Sequence, residues 1–227
     1  MKLAVLFSGG KDSVFSLYKT LKQGNEVRYL VTIFPERQDS WMFHRPCIEL
    51  TKLLAESLGI KQIVQNTKGE KEKELDDLKK VLAGIKNDIE GVVSGAVASN
   101  YQKNRIDKIC KELELESIAP LWREDSETLL KEEIKLGFEI IVTGVFADGF
   151  DKNWLGRRID EKCVEDLKEL NKNFGINISG EGGEYESLVL SGPIFKKKIR
   201  ILDCEIIWEN NTNSGYLVVK KAELSDK

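Results

Sequence analysis

The sequence predicts an α/β fold: a doubly wound, mainly parallel sheet followed by a small C-terminal α+β domain. Three observations carry this. Strand-like and helix-like segments alternate along the first two thirds of the chain. The strand-like runs are almost continuously apolar, as burial on both faces of a parallel sheet requires. After Gly149 the alternation stops, and one helical run precedes three strand-like runs.

Leu3-Ala4-Val5-Leu6-Phe7 is an apolar run of strand length, and residues 14–21 carry helical periodicity. Residues 27–34 form the next strand, followed by a polar loop containing Pro35. Residues 47–58 read as a helix stopped by Gly59, and 60–65 as a short strand. Residues 70–85 are highly charged, with Leu75, Leu78, Val81, Leu82 and Ile85 on one face, the pattern of an amphipathic helix. Then follow a strand at 91–94, a helix at 100–113, a brief strand at 117–119, and a helix at 126–135 with Ser126 as its N-cap. Residues 139–145 read as a further strand of the same sheet. This divides the chain into units 1–148 and 149–227. The second holds a helix at 161–174, a glycine- and glutamate-rich loop, and strands at 187–190, 199–208 and 216–220. Residues 223–227 are expected to fray.

Composition excludes several classes. With 227 residues and 41% hydrophobic content there is material for one sizeable core, or a domain with a smaller attachment. Thirty-five Lys and Arg mix with 38 Asp and Glu for a net charge of −3, so no broad basic face for nucleic acid is indicated. No run approaches the roughly 18 apolar residues of a membrane helix, and the start shows no signal-peptide pattern. A cytoplasmic location is expected, with no membrane partner. Cys47, Cys110, Cys163 and Cys204 are widely separated, which argues against a structural zinc site or a dithiol redox motif. A single histidine, His44, excludes a multi-histidine metal cluster.

Three runs carry chemistry. Ser8-Gly9-Gly10-Lys11-Asp12-Ser13 lies between the first strand and the first helix. Loop and helix-terminal N–H groups there suit phosphate, and the helix dipole favours its charge. The run is not a Walker-type P-loop, because Asp12 follows Lys11 and Val5 stands where the first glycine belongs. Lys11 can neutralise phosphates and Asp12 can hold Mg²⁺ beside them. Ser179-Gly180-Glu181-Gly182-Gly183-Glu184-Tyr185-Glu186-Ser187 either encloses a ligand, its glutamates holding a cation, or is a solvated turn. Ser94-Gly95-Ala96 leads into Tyr101, Gln102 and Arg105. Tyr101 and Arg105 share a helical face, and Arg105 either meets an anion or makes a surface ion pair.

The first run resembles the ATP pyrophosphatases, whose matching loop grips the β/γ pyrophosphate of ATP. All three runs, with Met42-Phe43-His44, Pro46 and Pro120-Leu121-Trp122, resemble the diphthine–ammonia ligase family of ATP pyrophosphatases along essentially the whole chain. The resemblance implies a HUP-like ATP pyrophosphatase domain at 1–148 and a substrate-binding domain at 149–227. It implies the last step of diphthamide synthesis, amidation of the diphthine carboxylate on translation elongation factor 2 with ATP and ammonium, through an acyl-adenylate.

On that reading Ser8, Gly9, Gly10, Lys11 and Ser13 hold pyrophosphate, and Asp12 holds Mg²⁺. Thr32, Ile33, Phe34, His44, Ser94 and Gly95 contact the nucleotide. Tyr101, Gln102, Arg105, Glu181, Gly182, Gly183, Glu184 and Tyr185 contact the acceptor. Glu184 or Glu186 binds ammonium and takes its proton. For the trimethylammonium group of diphthine, Tyr185, Tyr101 and Trp154 offer aromatic faces, with Glu181 or Glu184 beside them; ordinary packing is the other reading of Trp154. Glu74 is a further substrate candidate, with a solvated helix face as its alternative. With no glutaminase segment, free ammonium is the expected nitrogen donor. The oligomeric state stays open, a homodimer included. The rival readings are a tRNA-modifying adenylating ligase and a non-catalytic ATP-binding module.

Overall fold

The computed structural model describes residues 1–35, 47–67 and 73–227. β1 (Lys2–Leu6) lies at the centre of a five-stranded parallel sheet, because its apolar interior can be buried on both faces. The strand order is β3 (Lys61–Thr67), β2 (Glu26–Pro35), β1, β4 (Gly91–Val93), β5 (Glu116–Ile118). Alternation decides which face each side chain joins. Leu3 and Val5 pack towards α1 (Lys11–Lys22) and α2 (Thr51–Leu58). Ala4, Val31 and Val92 pack towards α3 (Lys73–Ile85) and α4 (Asn100–Leu113) through Leu78, Leu82, Ile106 and Ile109. After β1 the chain builds β2 and β3 on one side, then crosses to β4 and β5 on the other. That reversal opens a crevice at the carboxyl ends of β1 and β4.

The second sheet is antiparallel, in the order β7 (Tyr185–Ser191), β6 (Glu139–Val145), β9 (Ser214–Ser225), β8 (Lys198–Glu209). α5 (Ser126–Lys135) and α6 (Glu161–Phe174) accompany it. Residues 139–145 form the expected strand, but its membership of the parallel sheet is corrected: β6 pairs with β7 and β9. Burial on both faces gives a strand the same apolar run in either kind of sheet. Here one continuous apolar core, running from Phe15 and Tyr18 of α1 to Val164 and Leu167 of α6, encloses β6.

Three smaller expectations are also corrected. Asp125, not Ser126, caps α5, its carboxylate accepting the Thr128 N–H at 2.8 Å. The 47–58 helix begins at Thr51, after a 3-10 turn at Ile48–Leu50. Residues 223–225 do not fray but pair with β8, Lys198 opposite Ser225.

The two halves of the crevice meet at Gly95. A Cβ there would lie 2.9 Å from the Ser13 amide nitrogen and 3.0 Å from the Asp12 carbonyl carbon. Backbone cannot yield as a flexible side chain can, so Gly95→Ala is expected to cost about 1–3 kcal/mol as an overpacking change. Chemical denaturation measures it; an unchanged midpoint would show that the two loops are not in the contact described.

Candidate functional site

The loop after β1 is shaped by its own hydroxyls. Gly9 adopts φ +78°, and a Cβ there would also come within 2.9 Å of Leu54 Cδ1. Ser13 Oγ donates to the Gly10 carbonyl at 2.9 Å and accepts the Ser8 N–H at 3.3 Å. Two bonds then fasten this loop to β7 of the second sheet. The Lys11 N–H donates to Ser187 Oγ at 3.2 Å, and the Val189 N–H donates to the Gly9 carbonyl at 3.0 Å. The first and second sequence signatures are thus side by side, 176 residues apart in the chain.

Lys11 is 3% exposed, and its ammonium donates to Asp12 Oδ1 at 2.7 Å. Burial alone would lower its pKa, but the charges of Asp12, Glu133 and Glu181 outweigh burial and raise it. The ammonium therefore stays charged although it is out of water. Asp12 is more open, 28% exposed. Glu133 of α5 is 2% exposed, and burial pushes its carboxyl up to about 8 against the pull of Lys11. Nothing in the sequence reading singled out Glu133.

A cavity of about 300 Å³ lies at the crevice. One wall is apolar: Leu6, Phe7, Val31, Ile33, Ile48 and Ile106. Polar lining comes from Ser8, Gly10, Lys11, Asp12 and Ser13 of the first loop, from Ser94 and Gly95 after β4, and from Gln102 of α4. The glycine-rich run closes it with Glu181, Gly182, Gly183, Tyr185, Glu186 and Ser187. Among the described lining residues Lys11 is the one cation, set against the carboxylates of Asp12, Glu181 and Glu186.

The glutamates of that run differ. Glu181 Oε1 accepts the N–H groups of Val97, Ala98 and Ser99 at 3.0, 2.9 and 3.1 Å, which ties the glycine-rich loop to the start of α4. Glu184 Oε1 accepts the Asn177 N–H at 2.9 Å, and Glu184 is not among the cavity-lining residues; Glu186 is. Tyr185 is buried, its hydroxyl donating to the Ile178 carbonyl at 2.9 Å.

Other candidates lie apart from the cavity. Thr32 is buried, donating from Oγ1 to the Phe7 carbonyl at 2.7 Å and accepting from Gln62 at 2.8 Å, so it braces the first loop from behind. Phe34 does not line the cavity, whereas its neighbour Ile33 does. Tyr101 and Arg105 do not line it either; the Arg105 guanidinium stacks 3.5 Å from the Tyr101 ring centroid, and Gln102 of the same helix faces the cavity instead. Trp154 is buried and packs edge-on to Phe150 at 5.0 Å. Glu74 is fully buried in the first turn of α3, which corrects the solvated-face reading; it is not among the lining residues. Met42, Phe43, His44 and Pro46 lie outside the described residues. Leu121 is buried within the core.

Comparison with known proteins bears on these features. Residues 1–117 match the family model for the diphthamide synthase N-terminal domain, and residues 125–224 that for its C-terminal domain. A human protein named diphthine–ammonia ligase is 32% identical over 91% of this chain and 85% of its own length. A zebrafish protein of the same name is 32% identical over all of this chain and 98% of its own. A fission yeast protein of that name is 36% identical over 97% of this chain, which spans 39% of that longer relative.

Removing the Glu181 carboxylate would leave three amides at the start of α4 without their acceptor. Glu181→Ala is expected to cost about 1–3 kcal/mol, and Glu181→Gln less, since an amide oxygen still accepts. Denaturant unfolding of both variants checks the order; equal stability of all three proteins would contradict the contact.

Proposed function

The chain belongs to the diphthamide synthase family, and we propose that it amidates the diphthine carboxylate with ammonium, splitting ATP into AMP and pyrophosphate. One observation carries the residue assignment: the Ser8–Ser13 loop and the Gly180–Ser187 run face one cavity, joined by the Lys11–Ser187 and Gly9–Val189 hydrogen bonds.

The donor set fits the nucleotide and its metal. Ser8, Gly9, Gly10, Lys11 and Ser13 offer amides, hydroxyls and one ammonium to the terminal phosphates. The apolar wall of Val31, Ile33 and Ile106 suits a base, with Ser94, Gly95 and Gln102 beside it. Asp12, partly exposed at the cavity, would hold Mg²⁺ together with phosphate oxygens; such ions need only one or two protein carboxylates. Mg²⁺ supplies neutralisation of phosphate charge. With carboxylates outnumbering the one described cation of the lining, nucleotide without metal would meet net repulsion.

A carboxylate is a poor electrophile. Its oxygen attacks the α-phosphorus of ATP, the α–β bridging bond breaks, and pyrophosphate leaves against Lys11 and the loop amides. The chain's contribution is alignment and charge stabilisation. Ammonia then attacks the acyl carbon, the C–N bond forms, and the bond to AMP breaks. Ammonium must lose a proton first, and the role of binding it and accepting that proton is assigned to Glu186, which lines the cavity as Glu181 does. Glu184 instead supports the loop through Asn177.

The protein substrate on this reading is translation elongation factor 2 carrying diphthine, in the cytoplasm; four free thiols, three of them buried, suit a reducing compartment. Among the described residues no helix is long and apolar enough to cross a membrane.

Incubation with ATP, Mg²⁺ and ammonium chloride, without glutamine, tests the proposal. AMP and pyrophosphate are expected only when diphthine-bearing elongation factor is present. Lys11→Met is expected to lower kcat by about 10²-fold or more, on the scale of losing one preorganised electrostatic contact. AMP formation dependent on tRNA, or ATP bound and never split, would refute it in favour of the rival readings.

A further inference from the structure

β1 and β2 part at the edge of the cavity. Their register ends with Leu6 opposite Val31, and the Phe7 N–H still reaches the Val31 carbonyl at 2.8 Å. The Phe7 carbonyl accepts the Thr32 hydroxyl at 2.7 Å. A second threonine does the same at the start of α2. The Thr51 hydroxyl donates to the Ile48 carbonyl at 2.7 Å, closing the 3-10 turn. Phe7 and Ile48 both belong to the apolar lining of the cavity.

One carboxamide joins the two threonines. Gln62 Nε2 donates to Thr32 Oγ1 at 2.8 Å and to Thr51 Oγ1 at 2.9 Å. A hydroxyl has a single proton to give. Thr32 and Thr51 give theirs to carbonyls, so towards Gln62 they only accept, and the two N–H groups of one amide satisfy both. Each threonine is 1% exposed, where an unmet hydroxyl is costly. Register puts Gln62 in place. It lies opposite Leu30 in the β2–β3 ladder, hence diagonal to Thr32 on the same face. Gln62 is half-buried and does not itself line the cavity.

Resting on the nucleotide reading above, we propose that Gln62 is a positioning residue for the nucleobase: through Thr32 and Thr51 it fixes the spacing of Phe7 and Ile48, and so the width of the apolar slot that takes the base. The relay ends one residue before the Ser8–Ser13 loop, but that loop has fastenings of its own. Ser13 holds Gly10 and Ser8, while Gly9 and Lys11 are bonded to β7. Loss of the relay is therefore felt at the base and not at the terminal phosphates.

The test is displacement of an ATP analogue carrying a fluorophore on its ribose. The competitors are AMP, which carries the base, and pyrophosphate, which does not, both with Mg²⁺ present. Gln62→Met keeps the side-chain length and removes both donors. It is expected to weaken AMP about fivefold, to leave pyrophosphate unchanged, and to raise KM for ATP about fivefold with little change in kcat. Gln62→Glu is expected to weaken AMP about tenfold or more, because a carboxylate only accepts and draws both hydroxyl protons away from the carbonyls. Thr51→Val cuts the relay at its other end. It is expected to match Gln62→Met, to add little when combined with it, and to serve in its place should Gln62→Met not fold. AMP and pyrophosphate weakened alike, or neither weakened, would overturn the proposal while leaving the nucleotide reading intact. Wild type that binds neither the analogue nor AMP would overturn that reading and this proposal with it.

Discussion

The junction between Gly9–Lys11 and β7 is the constraint on which the rest depends. The Val189 N–H donates to the Gly9 carbonyl, and the Lys11 N–H donates to Ser187 Oγ. These two bonds turn the second sheet from an attachment into a wall of the cavity. They bring the glycine-rich run against the amino end of α1, where helix-terminal amides need acceptors. The core follows the same logic, running without a break from α1 to α6. The loop cannot shift without disturbing β7, and β7 cannot shift without disturbing the core.

From that closure follows the electrostatics. Enclosing Lys11 removes it from water, and only neighbouring carboxylates keep it charged. Two of them line the cavity: Asp12 beside Lys11 and Glu181 on the glycine-rich loop. Glu181 also ties Val97, Ala98 and Ser99 to its own loop, so one side chain joins the two halves of the crevice and contributes to the field at Lys11. Glycine serves the same closure. Gly95 lets the β4–α4 connection touch the start of α1, and Gly9 supplies a left-handed turn under Leu54.

Much of this was legible in the sequence because it is local. A strand, a Gly-Gly turn and a helix start within twenty residues leave little choice of geometry, and the helices at 100–113 and 161–174 have the bounds their periodicity indicates. What escaped was set by distant contacts. Residues 139–145 are buried on both faces in either kind of sheet, and only pairing with β7 and β9 tells them apart. Glu133 follows Leu129 and Leu130 on an amphipathic helix and looks like any solvated glutamate. Its burial comes from tertiary packing that the spacing along the helix does not reveal. Glu184 and Glu186 look equivalent in sequence, yet an Asn177 amide takes one while the other lines the cavity. Thr32 sits at a strand end, as a nucleotide contact would, but its hydroxyl is spent on the Phe7 carbonyl.

The central claim is that the β1–α1 corner grips the far phosphates of ATP, leaving the α-phosphorus to be attacked by the acceptor carboxylate. Oxygen-18 placed in that carboxylate tests it most directly. One labelled oxygen should appear in AMP after a single turnover, with none in pyrophosphate. Label in orthophosphate alongside ADP would contradict it.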